Sequence, residues 1–437
     1  MDSRMEKSCK VFFDLLIALS VVLVVPLFFS PASETLVLVS KERVLIYGLS
    51  FSLSFLLFGE FLGVREPNFQ IGLAKSFLLP LLNASLATLT LLVVVWAVEY
   101  SFIGRFALGK ILLGTAIGSF ASNLLINKFF SNHPTRCLLF LSPQRRDQII
   151  EASQDRPQLF KWVDPHSTDF QDNQSIERIC KAKNVDLLAI DEENSDIDFD
   201  IVKILSQGTQ VIGLLDFWQK YLGCIPPAEV NQSWLTKLDL RMRNPVALKL
   251  KRIADVIFSV IALILTAPLL FFVFLLVLIE SGFPLIFRQT RTGFHNRNFT
   301  IYKIRTMKKD AEREGAAWAR ENDIRITSLG KFLRKLRIDE IPQFWNVIKG
   351  DMSIVGPRPE RPEFQQELLL KVPHWNTRHL VKPGITGWAQ IKYRYASSMD
   401  ASEQKLAFDL YYLRNLSFAL DFEIILATLR SIGKGSR

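Results

Sequence analysis

The chain has 437 residues, of which 49% are hydrophobic, and its 53 Lys and Arg against 43 Asp and Glu give a net charge of +10. This length allows two or three domains, and the hydrophobic share predicts membrane segments rather than one soluble core. The positive charge calls for an anionic partner, and the apolar segments favour a lipid surface, whereas no zinc spacing, helix-turn-helix or RNA-binding motif supports nucleic acid.

Four apolar runs in the first 130 residues are each about as long as the roughly 20 residues that cross a bilayer. They cover residues 11–29, 44–62, 77–98 and 106–126. Basic residues lie before the first run and after the fourth, so the positive-inside rule places both ends in the cytoplasm. No convincing small-residue cleavage site follows the first run, which argues against a signal peptide. We predict a four-helix transmembrane bundle over residues 1–130.

The composition then becomes that of a soluble domain. Short buried strands are predicted at 136–142, 185–190 and 209–216, with helical patterns between them, which indicates a Rossmann-like α/β domain over 131–220. The first strand is followed by SPQRRDQ and no G-x-G-x-x-G, so we expect a structural or regulatory role rather than nucleotide binding. Residues 221–245, which contain several prolines, are predicted to be a linker.

Two features of this region have ordinary explanations. The acidic run at 191–200 lacks the glycine and the terminal glutamate of a calcium loop, so a solvated loop is the better interpretation. The four cysteines form no CxxC pair, and disulfides or structural zinc are therefore not expected. The cysteine pattern fits reduced cytosolic domains.

A long apolar stretch at 248–280 has Pro268 near its middle. Basic residues flank both of its ends, so the positive-inside rule predicts a re-entrant membrane helix over 253–279, broken at Pro268. The alternative is a fifth spanning helix with a kink, which hydropathy alone favours. The domain that contains this helix is predicted to extend from 246 to 437.

A carboxylate pair, Asp339 and Glu340, is the catalytic candidate. Pro342 is tolerated only in the first turn of a helix, so the pair is expected at or beside the N-cap of a helix that Gly350 ends. Anions and phosphates are favoured at that end of a helix. The cations of Arg334, Arg337 and Arg358 are near in sequence and could bind phosphate oxygens. The alternative is an acidic N-cap with surface ion pairs.

Five motifs place this pair in a wider context. They are YKIRTM (302–307), IDEIPQ (338–343), GDMSIVGPRPE (350–360), KPGITGWAQ (382–390) and FDLYYLRNLSFALDFEII (408–425). Their content and order resemble the bacterial sugar transferase family, the monotopic phosphoglycosyl transferases. With the apolar segments ahead of them, the whole chain resembles the long-form polyprenyl-phosphate galactose or glucose phosphotransferases.

The resemblance implies an α-rich monotopic catalytic domain on the cytoplasmic face of the bacterial inner membrane, in a multi-pass protein. Its implied reaction moves a sugar 1-phosphate from a UDP-sugar to undecaprenyl phosphate and releases UMP. This is the first membrane step of exopolysaccharide, capsule or O-antigen synthesis. The family also implies a requirement for Mg²⁺ and suggests a homodimer.

Residue roles carry over from the matched motifs. Asp339 corresponds to the nucleophile that forms a phosphosugar-aspartyl intermediate, and it is also the expected metal ligand, while Glu340 is its partner. Substrate binding is expected of six further residues, for which the alternative is a set of surface cations and a helix-capping acid: Lys303, Arg305, Arg334, Arg337, Arg358 and Asp421. An amphipathic pattern at 404–430 suggests helices on the membrane surface or ordinary core packing.

Two other classes of protein compete with this interpretation. A membrane scaffold or sensor with an inactive transferase domain is one, and the intact acidic pair with Lys303 and Arg358 argues against it. A nicotinamide-dependent sugar-nucleotide dehydratase is the other, but it needs a dinucleotide fingerprint that the sequence lacks. The sequence does not distinguish the sugar that is transferred.

Overall fold

The computed structural model describes most of the chain, namely residues 3–28, 41–61, 64, 73–99, 105–131, 134–154, 159–163, 174–191, 199–236, 238, 245–308, 323–393 and 399–431. Most of the predicted acidic loop, at 192–198, and part of the predicted linker, at 237 and 239–244, lie outside these residues. The chain divides into two units, Met1–Leu222 and Gly223–Arg437.

The first unit begins with four long helices: α1 (Ser3–Phe28), α2 (Lys41–Phe61), α3 (Leu73–Glu99) and α4 (Arg105–Ser131). Helix α1 packs on α2 and α4, and α3 packs on the same two helices. Segments Leu79–Ala97 of α3 and Leu108–Ile126 of α4 are long and apolar enough to cross a membrane. The prediction of long apolar helices in this part of the chain is confirmed.

Small residues let these helices approach closely, as in membrane helix pairs. Ala84, Ala87 and Ala116 are almost fully buried in the core between the helices. A few polar side chains are also buried there: the Ser119 hydroxyl donates to Asp14 at 2.8 Å, and the Asn83 amide donates to the Phe55 carbonyl at 3.1 Å. Polar groups in such a core require partners, and these contacts supply one for the Ser119 hydroxyl and one for the Asn83 amide nitrogen.

The rest of the first unit is a parallel sheet with helices. Its strands are β1 (Thr135–Phe140), β2 (Phe160–Val163), β3 (Leu187–Ile190) and β4 (Gln210–Gly213), in the order β2-β1-β3-β4. Its helices are α5 (Pro143–Ala152), α6 (Gln174–Ala182), α7 (Ile201–Ser206) and α8 (Leu214–Phe217). All pairs are parallel, and a salt bridge joins Arg145 after β1 to Asp191 after β3. Strand β2 was not predicted, because FKWV is short and half exposed.

The second unit is mostly helical. Its helices are α9 (Gln232–Thr236), α10 (Pro245–Ser281), α11 (Ser328–Lys335), α12 (Gln343–Lys349), α13 (Pro362–Lys371), α14 (Trp388–Lys392), α15 (Met399–Arg414) and α16 (Phe418–Ser431). Strands β5 (Ile286–Thr292) and β6 (Asn298–Ile304) form an antiparallel hairpin, and β7 (Ser353–Val355) pairs in parallel with β8 (Gly384–Thr386). Part of the predicted linker belongs to this unit. The Ile225 amide donates a hydrogen bond to the Ala407 carbonyl, and the indole Nε1 of Trp388 donates to the Gly223 carbonyl.

The core of this unit lies between α12, β7, α15 and α16. Most of the apolar residues of the 404–430 pattern are in that core, including Tyr412, Leu413, Leu416 and Leu420. Phe418, Phe422 and Leu429 are exposed instead. The amphipathic pattern is therefore mainly a core-packing pattern, with a smaller exposed apolar face on α16.

Helix α10 continues through Pro268 without interruption. The expected division into two helices is therefore not observed; proline removes one hydrogen bond and the helix resumes on both sides of it. At about 1.5 Å per residue, its 37 residues have a length of roughly 55 Å along the helix axis. Segment Leu248–Ser281 is long enough and has a high enough mean hydropathy to cross a membrane, although charged residues lie near both of its ends. Its middle exposes a row of large side chains: Ile261, Ile264, Leu265, Leu269, Phe271 and Phe272.

Both ends of α10 contact the same folded unit. Near its start, Arg252 donates to the carbonyls of Val347 and Ile348 at 2.6 and 2.9 Å. Near its end, Val277 packs against the core beside β6 and α11. Glu280 there accepts from the Leu329 amide at 3.1 Å. The unit therefore lies along the helix rather than at one end of it.

Candidate active site

The carboxylate pair lies in a short 3₁₀ turn, Ile338–Glu340, between α11 and α12. Arg337 precedes the turn with a left-handed backbone (φ 56°) and reverses the chain after α11. The N-cap of α12 is Pro342, so neither acid caps that helix, which corrects the expected position. Gly350 ends α12 in a left-handed conformation, as the sequence predicts. The pair is thus held by the turn, and both carboxylates are buried.

Glu340 is paired with two cations. Its Oε1 atom accepts from Lys303 Nζ at 2.9 Å and from Arg358 Nη2 at 3.1 Å. Lys303 comes from β6 and Arg358 from the loop after β7. Burial opposes the charge of Glu340, but the two cations outweigh it and hold the pKa of Glu340 below its usual range. Glu340 is therefore ionised at neutral pH and forms ion pairs with both cations.

Asp339 has different surroundings. Among the residues that the structure describes, no hydrogen bond or ion pair engages its carboxylate. Burial and the neighbouring charge of Glu340 raise the pKa of Asp339 to about 6, although Lys303, Arg334 and Arg358 act in the opposite direction. The pKa of Asp339 is thus raised while that of its neighbour Glu340 is lowered. Such a difference in pKa lets paired carboxylates take separate roles.

The cations near the pair differ in how they are held. Arg334 donates from Nε to the Thr306 hydroxyl at 2.8 Å, and its charge acts on Asp339. Burial lowers the pKa of Lys303, and Glu340 opposes that shift. The side chain of Arg358 is 42% exposed although it binds Glu340, so it can also reach an incoming phosphate.

Arg337 acts here through its backbone and its charge. Its carbonyl accepts from the Glu340 amide at 3.2 Å, and its cation lowers the pKa of Glu340. The structure thus brings Lys303, Arg334, Arg337 and Arg358 to the carboxylate pair.

Two other predicted substrate residues are engaged elsewhere in the unit. Arg305 donates to the carbonyls of Ser281 and Gly282 at the end of α10. Asp421 accepts from Lys251 at 2.6 Å and from the Tyr412 hydroxyl at 2.8 Å. Both sets of contacts join α10 or α16 to the core. The structure therefore gives these two residues tertiary contacts, and their substrate-binding roles stay predictions.

Sequence reasoning missed three residues behind the loop that carries Arg358. Arg291, Arg378 and Asp409 are largely buried, and both arginines bind carbonyls of that loop. The only local signals were that Asp409 lies inside the FDLYYL motif and Arg378 just precedes KPGITG. Nothing in the spacing of these residues indicated that they meet.

The described residues contain no group of three His, Cys, Asp or Glu side chains that could hold a metal ion. Mg²⁺ does not need such a group, because it commonly binds one or two carboxylates together with substrate phosphates. Glu340 is occupied by Lys303 and Arg358, which leaves Asp339 as the carboxylate that fits a single-ligand site.

The site therefore combines an ionised, cation-bound carboxylate with an adjacent unpaired one, in a unit with a long exposed apolar helix. Such an arrangement is suited to a membrane-associated protein whose site can bind phosphate groups. A model of the bacterial sugar transferase family matches residues 246–435. The chain belongs to this family, and the apolar helices and sheet ahead of the matched region make it a long-form member.

Individual relatives agree with this assignment. The chain is 44% identical over 196 residues to the UDP-N-acetylgalactosamine-undecaprenyl-phosphate N-acetylgalactosaminephosphotransferase of Aeromonas hydrophila, covering 44% of this chain and 46% of that protein. It is 42% identical over 183 residues to the uncharacterized sugar transferase EpsL of Bacillus subtilis, and this match covers 42% of the present chain and 87% of EpsL. It is 40% identical over 182 residues to the UDP-glucose:undecaprenyl-phosphate glucose-1-phosphate transferase of Escherichia coli, covering 41% and 39%. The match thus spans less than half of the Aeromonas and Escherichia proteins.

Proposed function

We propose that the protein transfers a sugar 1-phosphate from a UDP-sugar to undecaprenyl phosphate, through a phosphosugar-aspartyl intermediate on Asp339. The observation that carries the proposal is the asymmetry of the acidic pair. Lys303 and Arg358 both bind Glu340, whereas Asp339 is buried beside them with no partner among the described residues. A buried carboxylate without a partner, close to several cations, is suited to attack a phosphorus atom whose oxygens those cations bind.

The proposed reaction has two displacements. In the first, an Asp339 oxygen forms a bond to the sugar-linked phosphorus, and the bond to the bridging oxygen breaks so that UMP leaves with the electron pair. In the second, a phosphate oxygen of undecaprenyl phosphate attacks the same phosphorus. The bond to Asp339 then breaks and the carboxylate is regenerated. The product is undecaprenyl diphosphate-sugar.

The chain's own residues have distinct tasks in these steps. Glu340 orients Lys303 and Arg358 and, as proposed from the family, assists charge transfer in the second displacement. Those two cations and Arg334 stabilise the negative charge that develops on the phosphate oxygens. We also propose Mg²⁺ as the metal, with Asp339 as its protein ligand; when bound, it neutralises charge on the diphosphate.

We propose that the matched region works on the cytoplasmic side of the inner membrane, with α10 bent at Pro268 so that it enters and leaves by one face. Both ends of α10 bind one folded unit, through Arg252 and Glu280, while the residues between them expose an apolar surface. A helix that crossed the bilayer would separate these two contacts by the roughly 30 Å hydrocarbon core. The exposed apolar side chains of α10 would instead lie in one leaflet.

Cysteine labelling tests this topology. In a background without the four native cysteines, single cysteines at positions 247 and 295 should both react only from the cytoplasmic side. Labelling of position 295 from outside would show that α10 spans the membrane. The label should be excluded from a cysteine in the exposed middle of α10, such as one at position 265.

For the first unit we propose that α1–α4 form a transmembrane bundle and that the parallel sheet is a Rossmann-like domain with a structural or regulatory role. A homodimer and the domain boundaries given by the sequence are part of the same proposal. The names of the Aeromonas and Escherichia relatives give different sugars, so a panel of UDP-sugars is required to identify the donor.

The central experiment incubates the purified protein with Mg²⁺ and each UDP-sugar and measures UMP release with and without undecaprenyl phosphate. The intermediate predicts a single-turnover burst of UMP before any acceptor is added, and steady release with lipid-linked product afterwards. UMP that appears only with the acceptor would contradict the intermediate. A folded protein that releases no UMP from any donor would favour the scaffold or sensor instead.

A further inference from the structure

The loop at 356–360, GPRPE, carries Arg358 and is held by hydrogen bonds at four successive carbonyls. The Pro357 carbonyl accepts from the Gly384 amide and the Glu360 carbonyl from the Thr292 amide, both at 2.9 Å. The two carbonyls between them accept from side chains. Arg378 Nη2 donates to the Arg358 carbonyl at 2.8 Å, and Arg291 Nη1 donates to the Pro359 carbonyl at 3.1 Å.

The two arginines are themselves fixed. Arg378 forms a 2.7 Å ion pair with Asp409 of α15, and both side chains are only 2% exposed. The Arg378 guanidinium also lies 4.4 Å from the centre of the Trp375 ring. Arg291, on β5, donates from Nη2 to Gln289 at 2.6 Å. Separate elements therefore aim two rigid guanidinium groups at adjacent carbonyls.

The other side of the loop is fixed by backbone packing. Gly356 lies so close to Gly384 that a Cβ on Gly384 would be 2.1 Å from the Gly356 nitrogen. The Gly356 amide also donates to the Thr386 carbonyl at 2.9 Å. Pro357 and Pro359 restrict the backbone on both sides of Arg358. The main chain of Arg358 thus has little freedom, and its side chain reaches Glu340 from a fixed origin.

We infer that Arg378, with its partner Asp409, and Arg291 are positioning residues for Arg358. They do not contact the acidic pair in the residues described; they bind the backbone from which Arg358 extends. A displacement of about 1 Å in a catalytic group can cost on the order of 10²-fold in rate. The inference rests on the proposed function, because Arg358 is assigned there to the phosphate oxygens.

A double-mutant cycle tests the inference with UMP release as the readout. Arg378→Gln is measured in the wild-type background and in an Arg358→Ala background, where more enzyme compensates for the lower rate. If Arg378 acts through Arg358, its loss should lower kcat by about 10- to 100-fold in the first background and by less than about 3-fold in the second. Asp409→Asn should show the same dependence on Arg358.

Controls separate positioning from folding. Lys371→Gln removes a cation from an exposed pair on α13 and should leave the rate unchanged. Unfolding midpoints are measured for every variant, and Arg291→Lys, at a less buried position, goes through the same cycle in case Arg378→Gln does not fold. Equal losses in both backgrounds would assign the arginines a purely structural role and overturn the inference. Full activity of folded Arg378→Gln would also overturn the inference. If the wild-type protein itself released no UMP, the proposed function would be overturned, and the double-mutant cycle would not be needed to show it.

Discussion

Two regions of the second unit bury a carboxylate beside a lysine, and they differ in whether every acid has a partner. At the junction of α10 and α16, Asp421 binds Lys251 and the Tyr412 hydroxyl, and that hydroxyl lies 3.1 Å from the Val355 carbonyl. At the 3₁₀ turn, Glu340 is bound by Lys303 and Arg358. Asp339 beside it has no partner among the described residues. The first network is closed, and the second is open at one carboxylate.

The difference shows how similar residue types serve different purposes. A closed network satisfies its buried charges and joins elements of the fold. Burial raises the pKa of both Asp421 and Asp339, but hydrogen bonds from Lys251 and Tyr412 oppose the shift only at Asp421, so Asp339 is kept buried without that compensation. Such uncompensated burial is expected where the group has a chemical task. We therefore expect substitutions at the turn to affect rate and substitutions at the junction to affect stability.

The largest effect is expected for Asp339→Asn. The change keeps the shape of the side chain but removes the nucleophile, so the rate of UMP release should fall on the order of 10³-fold or more. The measurement is the single-turnover burst of UMP, with Asp147→Asn, an exposed site in the first unit, as the control. Near wild-type turnover would show that Asp339 is not the nucleophile.

A smaller loss is expected for Glu340→Gln. Lys303 and Arg358 would lose their charged partner but keep an oxygen acceptor, so their orientation should be impaired rather than abolished. We expect kcat to fall by about 10²-fold, with Glu340→Asp closer to wild type. A Glu340→Gln variant as inactive as Asp339→Asn would instead indicate an essential chemical role for Glu340.

The pH dependence should follow the ionisation of Asp339. Only the ionised carboxylate attacks phosphorus, and burial and Glu340 raise its pKa to about 6 in the metal-free site. Activity should therefore fall about tenfold per unit on the acid side, and Mg²⁺ bound to Asp339 would move this limb to lower pH. Glu340→Gln removes one of the charges that raise this pKa, so the acid limb should move to lower pH. The profile of the UMP burst gives the midpoint. An unchanged midpoint in Glu340→Gln would contradict the coupling of the two acids.

The smallest effect on rate is expected for Asp421→Asn. Asparagine can still accept from Tyr412, but Lys251 loses its 2.6 Å charged partner and keeps only the more distant Asp255, at 3.9 Å. We expect the unfolding midpoint to fall by about 5 °C, while kcat changes by less than about 5-fold at a permissive temperature. A large loss of kcat with an unchanged midpoint would support the substrate-binding role predicted from the sequence.

Helix α10 and the 404–430 region show what an apolar sequence pattern cannot predict. An apolar face indicates burial, but it does not distinguish a protein core from a membrane, since both exclude water. Tyr412 and Leu413 are in the core, whereas Phe271 and Leu265 of α10 are exposed. Pro268 was expected to divide this segment into two helices. It does not end α10, because the loss of a single hydrogen bond does not end a helix of this length.

The sequence alone determined the features that depend on local chemistry. Long apolar runs predicted the long helices of the first unit, and short apolar runs predicted β1, β3 and β4. Gly350 predicted the end of α12. The order of the motifs also identified the acidic pair. Each of these features is fixed by residues that are neighbours in the chain, so it can be read without knowledge of the packing.

Only the tertiary structure decided which cations serve the pair. Lys303 and Arg358 meet on one oxygen of Glu340, although they lie on different elements, whereas Arg305, two residues beyond Lys303, turns to the end of α10 once β6 has ended. Arg378 and Asp409 likewise meet from separate elements behind the loop of Arg358. Such contacts depend on how distant segments pack, and a single sequence carries no periodic or local signal of that packing.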